Sequence, residues 1–278
     1  MLRDRSRRTL KISQKKYISR VLQDRGMEWC TAVATPVEPG TQLEVSAVGY
    51  EATPSNRLQY QSAVGSLMHC MLGTRPDIAY AVSMVSKYCI NPNSDHWMAV
   101  KRIFRYLAGT GGLGITYGIR GGCEGFCDSD WGGSEDWRST SGYVFLLNGG
   151  AISWASRKQS VVALSSTEAE YMEITQAVKE VHWLRTLFIE LGTPRHAKEI
   201  SMIFSDNQGA IALSRNPGYH DRSKHIDIQF HFIRQHVDPE NGTINLLYCP
   251  TGEMVADILT KGLVRGRHQQ HTGAMGLY

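Results

Sequence analysis

At 278 residues, with 42% hydrophobic and 20% charged side chains, the chain has the composition of a soluble globular protein and room for one large or two ordinary domains. It has no run of about eighteen apolar residues, and its start, MLRDRSRRTLKIS, lacks the apolar segment of a secretory signal. No membrane span is therefore expected, and the six cysteines, read as free thiols of a reducing compartment, make cytoplasm or nucleus the expected location. The net charge of +4 conceals an asymmetry: residues 1–120 hold sixteen Lys and Arg against eight Asp and Glu, whereas residues 121–278 hold fourteen against eighteen. A basic half suits a polyanionic partner, and an acidic half suits metal cations.

The first 25 residues are dense in Arg and Lys, with a short strand expected at Thr9–Ile12 and a helix capped by Ser13. That basic helix is either a solvated face or a surface that grips a phosphate backbone. Thr35–Pro54 is proline- and glycine-rich and reads as a loop. Three helical patterns follow. The first runs from about Arg57 to Leu72, with Tyr60, Val64, Leu67, Met68 and Met71 inward, and the second starts at Pro76 and continues to Cys89. The third is SDHWMAVKRIFRYLAG, capped by Ser94 or Asp95 and stopped near Gly109. Together they predict a mainly helical lobe. The glycine-rich stretch Gly109–Gly122 changes the period from 3.6 to 2 and marks a boundary near Ile119.

Beyond it the pattern is alternating α/β. A strand at Gly125–Asp130 precedes a hairpin, Gly142–Leu147 and Ala151–Ala155, around Asn148-Gly149-Gly150. Ser165 and Glu168 have the spacing of a capping box, so a long helix should open near Ser166. Its apolar stripe of Ile174, Ala177, Val178, Val181, Leu184, Leu187 and Phe188 extends backwards to Glu170. Glu168 lies roughly 200° away at ~100° per residue, so it caps the helix while Glu170 points at the core. A strand is expected at Glu199–Asp206, helices at about Asn207–Ser214 and in HIDIQFHFIRQHV, a strand at Thr243–Tyr248, and a closing helix at Glu253–Gly262. The sum is a mixed five-stranded sheet with helices packed on it. The six cysteines form no C-x-x-C pair, and Cys123 with Cys127 alone makes a poor zinc site.

Four carboxylates occupy equivalent places: Asp128 and Asp206 at strand ends, Glu170 inward on the long helix, and Asp257 in the first turns of the last one. Converging without cationic partners they would repel one another by several kcal/mol unless divalent ions lay between them. Oxygen-only ligands suit Mg²⁺.

CDSDWGG (Cys127–Gly133), RSTSGYVF (Arg138–Phe145), ISWASRKQ (Ile152–Gln159), LSSTEAEY (Leu164–Tyr171), SDNQGAIAL (Ser205–Leu213), HDRSKHIDI (His220–Ile228) and ADILTKGL (Ala256–Leu263) together resemble the ribonuclease H domain of copia-type retrotransposon Pol polyproteins. Tyr60–Val82 and His96–Thr110 resemble the thumb and connection region that precedes it in copia reverse transcriptases. The resemblance implies a ribonuclease H-like domain over residues 119–263, a thumb/connection-like helical lobe over 1–118, and a C-terminal tail over 264–278. It implies hydrolysis of the RNA strand of an RNA/DNA hybrid, leaving 3′-hydroxyl and 5′-phosphate ends. Asp128, Glu170, Asp206 and Asp257 would bind two Mg²⁺ ions, with Mn²⁺ as a substitute. One ion would activate the attacking water and the other stabilise the departing 3′ oxygen. Thr167 and Gln208 match positions that touch the hybrid's minor groove, and Arg222, Lys224 and His225 are phosphate-contact candidates. The remainder of a Pol polyprotein is the expected partner.

Two departures stand out. Many ribonucleases H carry a mobile His before the last aspartate. Cys249–Ala256 contains none, so His220 or His225 would take its part, or turnover would be slower. No Y-x-D-D motif is present, so no DNA synthesis is expected. A catalytically silent nucleic-acid-binding relic is the competing reading, and a transposase or integrase relative a more distant one.

Overall fold

The computed structural model describes residues 1–118, 122–132, 137–199, 202–215, 227–237 and 243–278. The chain divides into two units: residues 1–119 together with 261–278, and residues 120–260.

In the first unit, Asp4 accepts hydrogen bonds from the Ser6 hydroxyl and from the Ser6 and Arg7 amides, which turns β1 (Leu2–Asp4) back onto β2 (Thr9–Ile12). β3 (Ile115–Tyr117) pairs with β2 and completes a small antiparallel sheet; β1 and β3 carry too little alternation to register in the sequence. The helices are α1 (Lys15–Asp24), α2 (Pro54–Gly73), α3 (Ala79–Ser86) and α4 (Ser94–Thr110), with a 3₁₀ turn at Pro76–Ile78 before α3. Three sequence expectations are corrected here. Ser13 does not cap α1: Gln14 occupies that position and uses its amide to donate to the His69 carbonyl and accept from Thr74. The cap of α4 is Asn93, whose side chain accepts from the Asp95 and His96 amides while His96 Nδ1 accepts from Asn93 N–H. Met68 is 41% exposed, because α2 is apolar on two sides and its stripe follows Tyr60, Val64, Leu67 and Cys70 instead.

A buried polar network ties this unit together. Arg75, fully buried, makes two hydrogen bonds to the Asp77 carboxylate at 2.8 and 2.6 Å, and Tyr106 donates to the same carboxylate at 2.6 Å. Burial opposes the Arg75 charge, but Asp77 outweighs it and keeps the guanidinium charged; Arg75 in turn holds the buried Asp77 carboxyl below its ordinary range. α9 (Arg265–Ala274) joins the network through His268, whose ring meets Tyr106 edge-on at 5.3 Å and whose Nε2 lies 3.3 Å from the Asp77 carbonyl. Past α9, Gly276 accepts from the Thr116 amide at 2.8 Å and Leu277 bridges Ile115.

The second unit is built on five strands in the order β6-β5-β4-β7-β8. β4 (Cys123–Asp130), β5 (Thr140–Leu147) and β6 (Gly150–Lys158) are antiparallel. The β5–β6 turn puts Asn148 and Gly149 at φ 51° and 81°, the two positive values that a type I′ turn needs. β7 (Met202–Ser205) runs parallel to β4, and β8 (Asn245–Tyr248) parallel to β7. α5 (Ser166–Glu190) packs its predicted stripe into the core, with Ile174, Ala177, Val178 and Val181 fully buried. α6 (Pro194–Glu199), α7 (Gln208–Arg215) and α8 (Asp227–Val237) complete the helices.

The strand expected from Glu199 is shorter, because Pro194–Glu199 is helical, and its inward residues are Ile203 and Ser205. Phe204, on the other face, stacks on Phe126 at 5.1 Å, so both faces of the parallel pair are covered and simple alternation fails. The closing helix expected at Glu253–Gly262 is a 3₁₀ segment, Val255–Leu259. Among the described residues no helix is long and apolar enough to cross a membrane.

A candidate metal centre of three carboxylates

Register brings the first two acids together. β4 and β7 are parallel and pair Phe126 with Phe204, so Asp128 and Asp206, each two residues further on, emerge side by side at the strand ends. The third acid comes from the first turns of α5, whose start is fixed by Ser165 accepting from the Glu168 amide and Glu168 accepting from the Leu164 amide. That start puts Glu170 on the core side, 5% exposed, with Oε1 accepting from the Ser129 amide at 3.1 Å. Asp128, Glu170 and Asp206 each offer an oxygen, and the three oxygens lie within 4.8 Å of one another.

Each carboxylate also has one oxygen engaged by a neutral donor: Asp128 Oδ2 by the Thr260 hydroxyl, Glu170 Oε1 by the Ser129 amide, and Asp206 Oδ2 by the Thr251 hydroxyl at 2.7 Å. Neutral donors hold the acids in place without offsetting their charge. Burial, and then Asp128 and Asp206, push the Glu170 carboxyl up to about 9. Glu170 Oε2 is buried and has no hydrogen-bond partner among the described residues. A buried oxygen left open beside two further carboxylates is the donor chemistry of a hard divalent cation, and the three residues could hold one.

Asp257 is fully buried on the 3₁₀ segment, whose neighbours are β4 and β5, and is not one of the three acids in this group. Thr167 is half-buried and Gln208 exposed at the starts of α5 and α7. These two helix starts adjoin: a Cβ on Gly209 would sit 3.4 Å from the Thr167 side chain. α7 is capped by Asn207, which accepts from the Ala210 amide at 2.9 Å. Arg222, Lys224 and His225, like His220, lie outside the described residues.

Glu173 was not apparent from the sequence, although it follows Glu170 by one turn. It is buried, and burial pushes its carboxyl up to about 8. Its folded-state proton affinity exceeds the ordinary carboxylate's 4.5, so the folded chain holds a proton there that the unfolded chain has released. Stability should therefore fall by up to about 1.4 kcal/mol per pH unit from this group as pH rises from 4.5 to 8. In metal-free denaturant titrations, Glu173→Gln should match the parent near pH 4.5 and exceed it at pH 8. Equal curves at both pH values would show Glu173 ionised in the fold.

The sheet order, with acids at the ends of β4 and β7 and at the start of α5, defines a ribonuclease H-like α/β domain. No family model matches the chain. Over its whole length it is 42% identical to a retrovirus-related Pol polyprotein from transposon TNT 1-94 of Nicotiana tabacum. Over 96% of its length it is 37% and 38% identical to the Pol polyproteins of transposons RE2 and RE1 of Arabidopsis thaliana. Over most of its length the chain is thus similar to the Pol polyproteins of copia-type retrotransposons. It spans 21%, 18% and 18% of the length of these three relatives.

Proposed function

We propose that the second unit hydrolyses the RNA strand of an RNA/DNA hybrid, as one part of a retrotransposon Pol polyprotein acting in the cytoplasm or nucleus. The observation that carries this reading is the gathering of Asp128, Glu170 and Asp206 with their oxygens within 4.8 Å. In this reading Asp128, Glu170 and Asp206, joined by Asp257 on the neighbouring 3₁₀ segment, hold two Mg²⁺ ions, or Mn²⁺ in their place. When bound, such ions supply activation of an attacking water and stabilisation of the departing 3′ oxygen.

The chain's own residues do the rest. Thr260, Ser129 and Thr251 fix one oxygen of each acid, so the site is oriented before substrate arrives. Thr167 and Gln208, at two helix starts that adjoin at Gly209, are assigned to a hybrid's minor groove, where the 2′-hydroxyl distinguishes RNA from DNA. Arg222, Lys224 and His225 are assigned to phosphates. The basic first unit, with Lys15, Lys16 and Arg20 exposed on α1, supplies a thumb-like surface for the duplex backbone.

The test is incubation with a labelled RNA/DNA hybrid and Mg²⁺, with Asp206→Asn in parallel. The parent should release products with 3′-hydroxyl and 5′-phosphate ends, and the variant should lose nearly all cleavage. Equal cleavage by both would remove the carboxylate cluster from the reaction. No cleavage by either would favour a silent nucleic-acid-binding protein.

A further inference from the structure

We propose that Thr260 is a positioning residue for the carboxylate cluster: its hydroxyl holds one oxygen of Asp128 and so aims the carboxylate at the metal. The proposal rests on the metal-dependent reading above and adds a residue to it.

Gly142 on β5 is the cross-strand partner of Asp128 on β4, so the two positions face the same side of the sheet. Any side chain at 142 would stand beside the Asp128 carboxylate. A Cβ there would lie 2.7 Å from Leu259 Cβ and 2.9 Å from Thr260 Cγ2, closer than such atoms can come. The bare backbone at 142 is therefore what lets the end of the 3₁₀ segment drop onto the strand pair. Thr260 arrives at Asp128 through that opening.

Once there it is well defined. Thr260 is fully buried and Asp128 is 2% exposed, so water does not replace their hydrogen bond. The hydroxyl's two recorded acceptors are Asp128 Oδ2 and, at 3.2 Å, the Asp257 carbonyl of its own turn. A hydroxyl has one proton, and the closer, charged acceptor takes it. Threonine is β-branched and stiff at χ1, and packing against Gly142 limits its rotation further. Asp206 has a similar hydroxyl partner in Thr251, but that residue is exposed and its contact is open to exchange with water. Groups that orient metal ligands from behind typically cost about 10- to 100-fold in metal affinity when removed.

Thr260→Val keeps the shape and removes the donor. In the full chain it should raise the Mg²⁺ concentration for half-maximal hybrid cleavage about 10-fold or more, leave KM for the hybrid unchanged, and weaken calorimetric Mn²⁺ binding without substrate by a similar factor. Thr260→Ser should restore both midpoints close to those of the parent. Gly142→Ala, which displaces Thr260 without touching its hydroxyl, should resemble the valine variant. A folded valine variant with the parental metal midpoint overturns the proposal, as does a serine variant as impaired as valine. If valine does not fold, Thr260→Cys, with its weaker donor, should give an intermediate midpoint, and a parental one would overturn the proposal. The two readings fail differently: a parent that cleaves while Thr260→Val keeps its metal midpoint loses only the positioning role, whereas a parent that neither binds Mn²⁺ nor cleaves loses both.

Discussion

Glu170→Gln is expected to remove metal-dependent cleavage and at the same time to stabilise the metal-free protein. The two effects share one cause. Glu170 is nearly buried, its Oε2 has no hydrogen-bond partner among the described residues, and Asp128 and Asp206 repel it. A glutamine keeps the length and the Ser129 contact but sheds the charge. At pH 7 the unfolded carboxylate is ionised while the folded one resists ionisation, so the substitution should stabilise the fold on the order of 2 kcal/mol. That gain should shrink to about a few tenths of a kcal/mol near pH 4.5, where the unfolded carboxyl is half protonated, and vanish as pH falls further. Loss of a metal-holding oxygen should cost about 10³-fold in cleavage rate, equivalent to several kcal/mol of transition-state stabilisation. The rise in melting temperature that Mg²⁺ gives the parent should vanish with it. Thermal melts with and without Mg²⁺, alongside the cleavage assay, separate the effects. A variant that cleaves at the parental rate would disprove the metal site.

The largest stability loss should come from the first unit, at Asp77→Ala. Removing this carboxylate strands Arg75, which has no exposed surface and no other acidic partner among the recorded ion pairs of the described residues. Breaking a buried pair on one side typically costs about 3–5 kcal/mol, because the remaining charge is neither solvated nor compensated. Tyr106 loses its acceptor as well. Glu38→Ala, which breaks the partly exposed pair with Arg102 at 2.6 Å, should cost less than about 1 kcal/mol. Amide exchange in α4 and α9 is the measurement of choice, since both helices are pinned to Asp77, through Tyr106 and His268. Replacing Arg75 and Asp77 together by apolar residues of similar volume should recover much of the loss. Protection factors that survive Asp77→Ala unchanged would mean that packing alone holds the unit.

What the sequence disclosed follows the range of the interactions involved. The direction of Glu170 was legible because it depends on a cap and a period, both settled within a few residues on one helix. The placement of Asp128 and Asp206 at strand ends was legible for the same reason. Their adjacency needs the parallel register of β4 and β7, set by strands some eighty residues apart, and no local pattern encodes it. Thr260 and Gly142 both stood inside recognisable motifs, yet their shared purpose is invisible until a hydroxyl and a carboxylate 132 positions apart meet. α9 shows another limit. Its buried side chains are His268, His271 and Thr272, so there was no apolar stripe for periodicity to find. In α2 the difficulty is reversed, since apolar residues on two sides make more than one stripe plausible.

The bridge between Ile115 and Leu277 sets an order of assembly. A ribosome making this chain completes every residue of the second unit before it delivers the last strand contact of the first. The first unit must therefore wait, with α4 and β3 already synthesised, until residues 261–278 emerge behind the second. A break in the chain after Thr260 would leave the α/β unit whole and the helical unit open.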